Sequence, residues 1–128
     1  MTREAFKQVL DAKGYSYKIE GNRVVVTDEG VVYLKDLTSL PSDVEFRNDG
    51  GIELSALTFL PPGVEFRNGG YVSLHSLTSI SPGVEFRNEW SVRLDALIGG
   101  ELDDWEGNIE DIKSKRLLNV MIKRGMFI

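Results

Sequence analysis

Apolar and polar residues alternate along this chain in short bursts that return every twenty residues. Phe46, Phe66 and Phe86 stand one period apart, each inside the string VEFRN. Five apolar columns run through the repeat: Val24, Val44, Val64 and Val84; Val26 with the three Phe; Val32, Ile52, Val72 and Val92; Leu34, Leu54, Leu74 and Leu94; Leu37, Leu57, Leu77 and Leu97. Leu40, Leu60 and Ile80 add a sixth. A fixed period of this kind marks stacked units, each too small to bury its own apolar face.

Within one unit, Val64 and Phe66 alternate with Glu65 and Arg67, while Val72 and Leu74 alternate with Tyr71, Ser73 and His75. A period of two predicts strands, two per coil. One corner between them is Asn-Gly in character (Asn48 with Gly50 and Gly51, Asn68 with Gly69 and Gly70) and accepts left-handed backbone. The other is built from Pro41, from Pro61, Pro62 and Gly63, and from Pro82 and Gly83. These breakers leave no room for a helix inside a unit. Coils about 4.8 Å apart can satisfy one another's backbone groups, so the expected fold is mainly β: a small parallel β-solenoid of twenty-residue coils over residues 31–100.

Such a stack has two exposed ends, and the flanking segments are suited to cover them. Ala5, Phe6, Val9 and Leu10 share a helical face, Thr2 can cap the start and Gly14 can end it. Next, YSYKIE, Gly21-Asn22 and RVVVT predict a hairpin leading into a degenerate first coil, with Val25 at the usual Glu position. At the far end Ser114 is the expected N-cap of a helix presenting Leu117, Leu118, Met121 and Ile122, with Gly125 as its stop. The whole is read as one domain: residues 1–30 a helix and hairpin cap, 31–100 the coils, 101–128 an acidic linker and helical cap.

The strings LTSLP and LTFLP, each followed by Val-x-Phe-x-Asn, resemble short, Pro-containing bacterial leucine-rich repeats, although here only Arg67 separates Phe66 from Asn68 and a second strand is inserted at Tyr71 to Leu74. The fuller pattern, GVEFRNGGYVSLHSLTSI with the tail GNIEDIKSKRLLNVMIKRGMFI, is similar to a group of short repeat proteins encoded in bacterial, phage and prophage genomes. That resemblance spans about residues 20 to 128. It implies a leucine-rich-repeat-like architecture and brings no activity or catalytic residue with it.

Composition narrows the picture further. The formal charge of −5 disfavours direct nucleic-acid binding through phosphate neutralisation. Zero cysteines fit a reducing compartment. The N-terminus lacks the apolar core of a signal peptide, and no apolar run is long enough for a membrane span, so a cytoplasmic protein without membrane contact is expected, with a monomer favoured. Catalytic chemistry is sparse. His75 is the single histidine, in a slot held elsewhere by Lys35, Ser55 and Asp95. The acidic segment 101–111 fails as a calcium loop, since aligning Gly107 with the loop glycine places Leu102 first and Lys113 last, where carboxylates are needed. No metal, cofactor or catalytic set is therefore expected.

The outward positions differ between the two strands. Glu45, Glu65 and Glu85 form one column and Arg47, Arg67 and Arg87 another on the same strand face, a self-compensating ladder. The second strand varies instead. Tyr33, Glu53, Ser73 and Arg93 occupy its central outward column, with Tyr71, His75 and Trp90 beside it, while Phe59 replaces Ser39 and Ser79 elsewhere. A fixed core beside one variable, aromatic face fits a recognition surface. The expectation is a non-enzymatic protein-binding module, possible alternatives being an acidic nucleic-acid mimic that inhibits a host defence or DNA-processing protein, and an enzyme whose site forms across coils or subunits.

Overall fold

The computed structural model describes residues 1–94, 96, 108–109 and 112–127. Asp95, Leu97 and the acidic stretch, apart from Asn108 and Ile109, lie outside the described residues. The chain opens with helix α1 (Arg3–Lys13), whose N-cap Thr2 accepts from the Ala5 N–H and whose last turn ends at Gly14 with φ of 76°. Phe6 and Leu10 are buried. The hairpin follows as β1 (Tyr17–Glu20) and β2 (Arg23–Val26), antiparallel, with Glu20 opposite Arg23.

The repeats then wind as a parallel β-solenoid. One sheet stacks β2, β4 (Glu45–Phe46), β7 (Glu65–Phe66) and β10 (Glu85–Phe86). The second stacks β3 (Val32–Tyr33), β5 (Ile52–Glu53), β8 (Val72–Ser73) and β11 (Val92–Arg93). Registers advance by one full repeat, Phe46 facing Phe66 and Phe66 facing Phe86. The two middle coils also pair β6 (Phe59–Leu60) with β9 (Ser79–Ile80), a third strand where the alternation predicts only two. That segment offers a single inward residue per coil, too short a run for a period of two to be visible.

All six apolar columns point inward among the described residues, with Leu74, Leu54, Val72 and Phe66 fully buried. Coil spacing imposes the aromatic geometry: the Phe46, Phe66 and Phe86 rings stack nearly parallel, with centroids 5.2 and 4.9 Å apart. The Asn-Gly corners depart from expectation. Their glycines do not have positive φ, which falls instead at Gly63 (81°), Gly83 (96°) and Asp43 (63°) of the other corner. They are small because coils touch there: a Cβ on Gly70 would lie 2.6 Å from the Gly50 carbonyl carbon, and one on Gly50 2.8 Å from that of Gly30.

The ends of the stack are covered by both main chain and side chains. At the start, β1 pairs with β2, and the Tyr33 N–H on the open edge of β3 donates to the Tyr15 hydroxyl (2.9 Å). At the finish, β12 (Asn108–Ile109) pairs antiparallel with β11. Helix α2 (Ile112–Lys123) covers β10. It begins two residues before Ser114, so that residue lies within the first turn and is not its N-cap. Gly125, with φ of 74°, does end the turn that follows.

The face of α2 also differs from the apolar pattern. Leu118, Met121 and Ile122 are buried, but Leu117 is half exposed and Lys115 takes its place inside. The reason is the edge being covered. Carbonyls on one strand edge recur every second residue, about 6.6 Å, and side chains four apart on a helix advance about 6 Å. The Lys115 ammonium accordingly donates to the Asn88 carbonyl (2.6 Å), and the Asn119 amide donates to Phe86 O (3.0 Å) while accepting from Phe86 N (2.9 Å). The Ile80 N–H of β9 donates to Phe127 O at 2.9 Å.

Candidate functional site

Two outward faces were singled out by the sequence, and they are built differently. On the first sheet the acidic and basic columns neutralise each other. Arg47 pairs with Glu45, Arg67 with Glu65 (3.5 Å) and Arg87 with Glu85 (2.7 Å), each within one coil. Arg23 bridges coils, 3.6 Å from Glu45 and 3.2 Å from Glu65. Arg47 also reaches Glu20, whose carboxyl is held below the ordinary range by its hydrogen bond from Lys18 and by the Arg47 charge. Little uncompensated charge is left on this face for a partner.

Beside it runs a column the sequence suggests only as turn formers. Asn48, Asn68 and Asn88 are buried, and each side-chain amide points at three carbonyls: Asn68 Nδ2 lies 3.1 Å from Gly50 O, 3.1 Å from Gly70 O and 3.0 Å from Tyr71 O. The ladder binds each corner to the previous coil, a structural task. Its signal was the constancy of Asn beside variable neighbours Asp49, Gly69 and Glu89.

The second sheet carries the variable face. Register places Tyr33, Glu53, Ser73 and Arg93 opposite one another in successive coils. Tyr33 is half exposed, His75 and Arg93 are exposed, and Trp90 at the last corner is 67% exposed. Glu53 and Tyr71 are partly buried. Ser73 departs from its outward parity, being only 3% exposed. Phe59, although exposed, lies on the third sheet and does not join the strip.

Tyr71 organises the middle of this face. Its ring lies across Gly51, where a Cβ would come within 2.3 Å of the ring, so the glycine makes room for it. The phenol is pushed above its ordinary pKa, first by burial and then by the neighbouring Glu53 carboxylate. Glu53, Tyr71, Ser73, His75, Ser91 and Arg93 together line an open depression of about 290 Å³. At the strip's first coil Lys35 stands 5.6 Å over the Tyr33 ring.

Among the described residues no group of three His, Asp or Glu side chains is placed to hold a metal ion, and no helix is long and apolar enough to cross a membrane. The described chain is a capped parallel β-solenoid with one neutralised face and one aromatic, mixed-charge face. It matches no protein-family model, no curated protein and no solved structure at a significant level.

Proposed function

We propose that the chain is a non-enzymatic protein-binding module that engages its partner through the second-sheet face. The observation carrying this reading is the exposure of Tyr33 and Arg93 on the second sheet, with His75 and Trp90 flanking it, over core positions that are all committed to packing. Aromatic and arginine side chains dominate binding hot spots, and a preformed sheet presents them at small ordering cost. The partner is proposed to be a host-cell protein, as the resemblance of the repeat to phage and prophage proteins would imply. The nucleic-acid-mimic reading draws less support, because each glutamate of the regular column sits beside an arginine.

Affinity capture with the intact chain, followed by calorimetry on the captured protein, tests the reading. Trp90→Ala and Arg93→Ala are each expected to weaken binding by about tenfold or more. Arg67→Ala, on the neutralised ladder, is expected to be nearly silent. Loss of affinity in Arg67→Ala with none in the other two would move the interface to the first sheet and overturn the assignment.

A further inference from the structure

We propose that the depression at Ser73 is a subsite for a carboxamide, the side chain of an asparagine or glutamine inserted by a protein partner. The inference rests on the reading of this face as a binding surface and specifies the chemistry at its centre. Ser73 is nine-tenths buried or more, and its hydroxyl oxygen has no hydrogen-bond partner among the described residues. A buried hydroxyl left unpaired is costly, and an alanine there would avoid the cost. The unused hydroxyl lies at the depression lined by Glu53, Tyr71, His75, Ser91 and Arg93.

The order of groups in the column selects the ligand. Glu53, Ser73 and Arg93 follow one another at coil spacing, about 4.8 Å per step. An amide matches this sequence: its N–H donors turn to the Glu53 carboxylate and its carbonyl oxygen accepts from the Ser73 hydroxyl, on the side of the Arg93 guanidinium. An ion does not match, because the flanking charges are opposite and a full charge of either sign gains at one wall what it loses at the other. The Tyr71 ring, seated on Gly51, forms the wall of the site beside Glu53. The Ser73 hydroxyl is covered in this structure, and an entering amide reaches it by displacing the side chains that line the depression.

Backbone amide NMR spectra of the full chain, titrated in parallel with propanamide, propanoate and propylammonium, test the proposal. Propanamide is expected to give saturable shifts at Glu53, Ser73 and Arg93, with the two ions weaker by about tenfold, the value of one lost hydrogen bond. Ser73→Ala should abolish the propanamide response while keeping a dispersed spectrum and a melting temperature at or above that of the parent; Glu53→Gln should weaken it. An equal or stronger response to either ion, no saturable response to propanamide, or a response surviving in Ser73→Ala would overturn the subsite. The binding-face reading fails separately: if Trp90→Ala and Arg93→Ala lose the captured partner while Ser73→Ala retains it, the face stands and the subsite falls.

Discussion

At the scale of single residues, two kinds of position carry the stack, and they fail in opposite ways. Leu74 is fully buried between Leu54 and Leu94, so Leu74→Ala removes packing from the middle of a column. Denaturant unfolding should register a loss of about 2 to 5 kcal/mol from the cavity left behind. Gly70 has the reverse problem. A Cβ there meets Gly50 backbone at 2.6 Å, and backbone cannot swing aside as a side-chain tip can. Gly70→Ala is expected to cost about 1 to 3 kcal/mol by forcing the coils apart, and an unchanged unfolding midpoint would show that the corner can widen freely. The first effect was legible in the sequence, because inward parity is repeated in four successive coils and each copy checks the others. The second was not, because Asn-Gly reads as a turn whether its glycine supplies positive φ or close approach. Only the neighbouring coil, with Gly30 O and Gly50 O offered to Asn48 and Asn68, separates the two. Ser73 was hidden for a related reason: parity places it outward, and burial comes from side chains in adjacent coils.

At the scale of elements, the decisive match is between α2 and the edge of β10. Amphipathicity alone gives the existence of this helix and its Gly125 stop, but it turns the buried face toward Leu117 because a purely apolar face is assumed. A helix that covers a strand edge must instead satisfy N–H and C=O groups that a further coil would have taken, so Lys115 and Asn119 belong to the buried side. Asn119 supplies both a donor and an acceptor to Phe86, in the manner of a peptide unit. Asn119→Ala should therefore cost about 1 to 3 kcal/mol by leaving two backbone groups unpaired. Hydrogen exchange adds a local reading: the Phe86 amide should exchange much faster in the variant, while that of Glu65, which donates to Val44 O deeper in the stack, should follow only global unfolding. Equal acceleration at both positions would mean that Asn119 acts through overall stability and not through the edge.

At the scale of the whole molecule, the two ends are closed by different means, and this asymmetry determines what happens when one is opened. The first end is sealed by β1, α1 and the Tyr15 hydroxyl, all encoded before the repeats begin. The second depends on β12, α2 and the Phe127 carbonyl, encoded after them. Deleting residues 114–128 removes Lys115, Asn119 and Phe127, and so frees the edges of β10 and β9 together with the apolar core surface that α2 covers. Unpaired edges and apolar surface drive association. Because the first end stays covered, head-to-tail growth into a filament is blocked. What remains is pairing of two identical opened ends about a two-fold axis, a contact that closes on itself. The truncated protein is therefore expected to lose melting temperature and to become a dimer of defined size, with concentration-dependent stability, while the parent remains monomeric. Sedimentation equilibrium checks this directly. A truncated chain that stays monomeric with unchanged melting temperature would show that the tail is not a cover, and open-ended polymers would show that the first end is not closed.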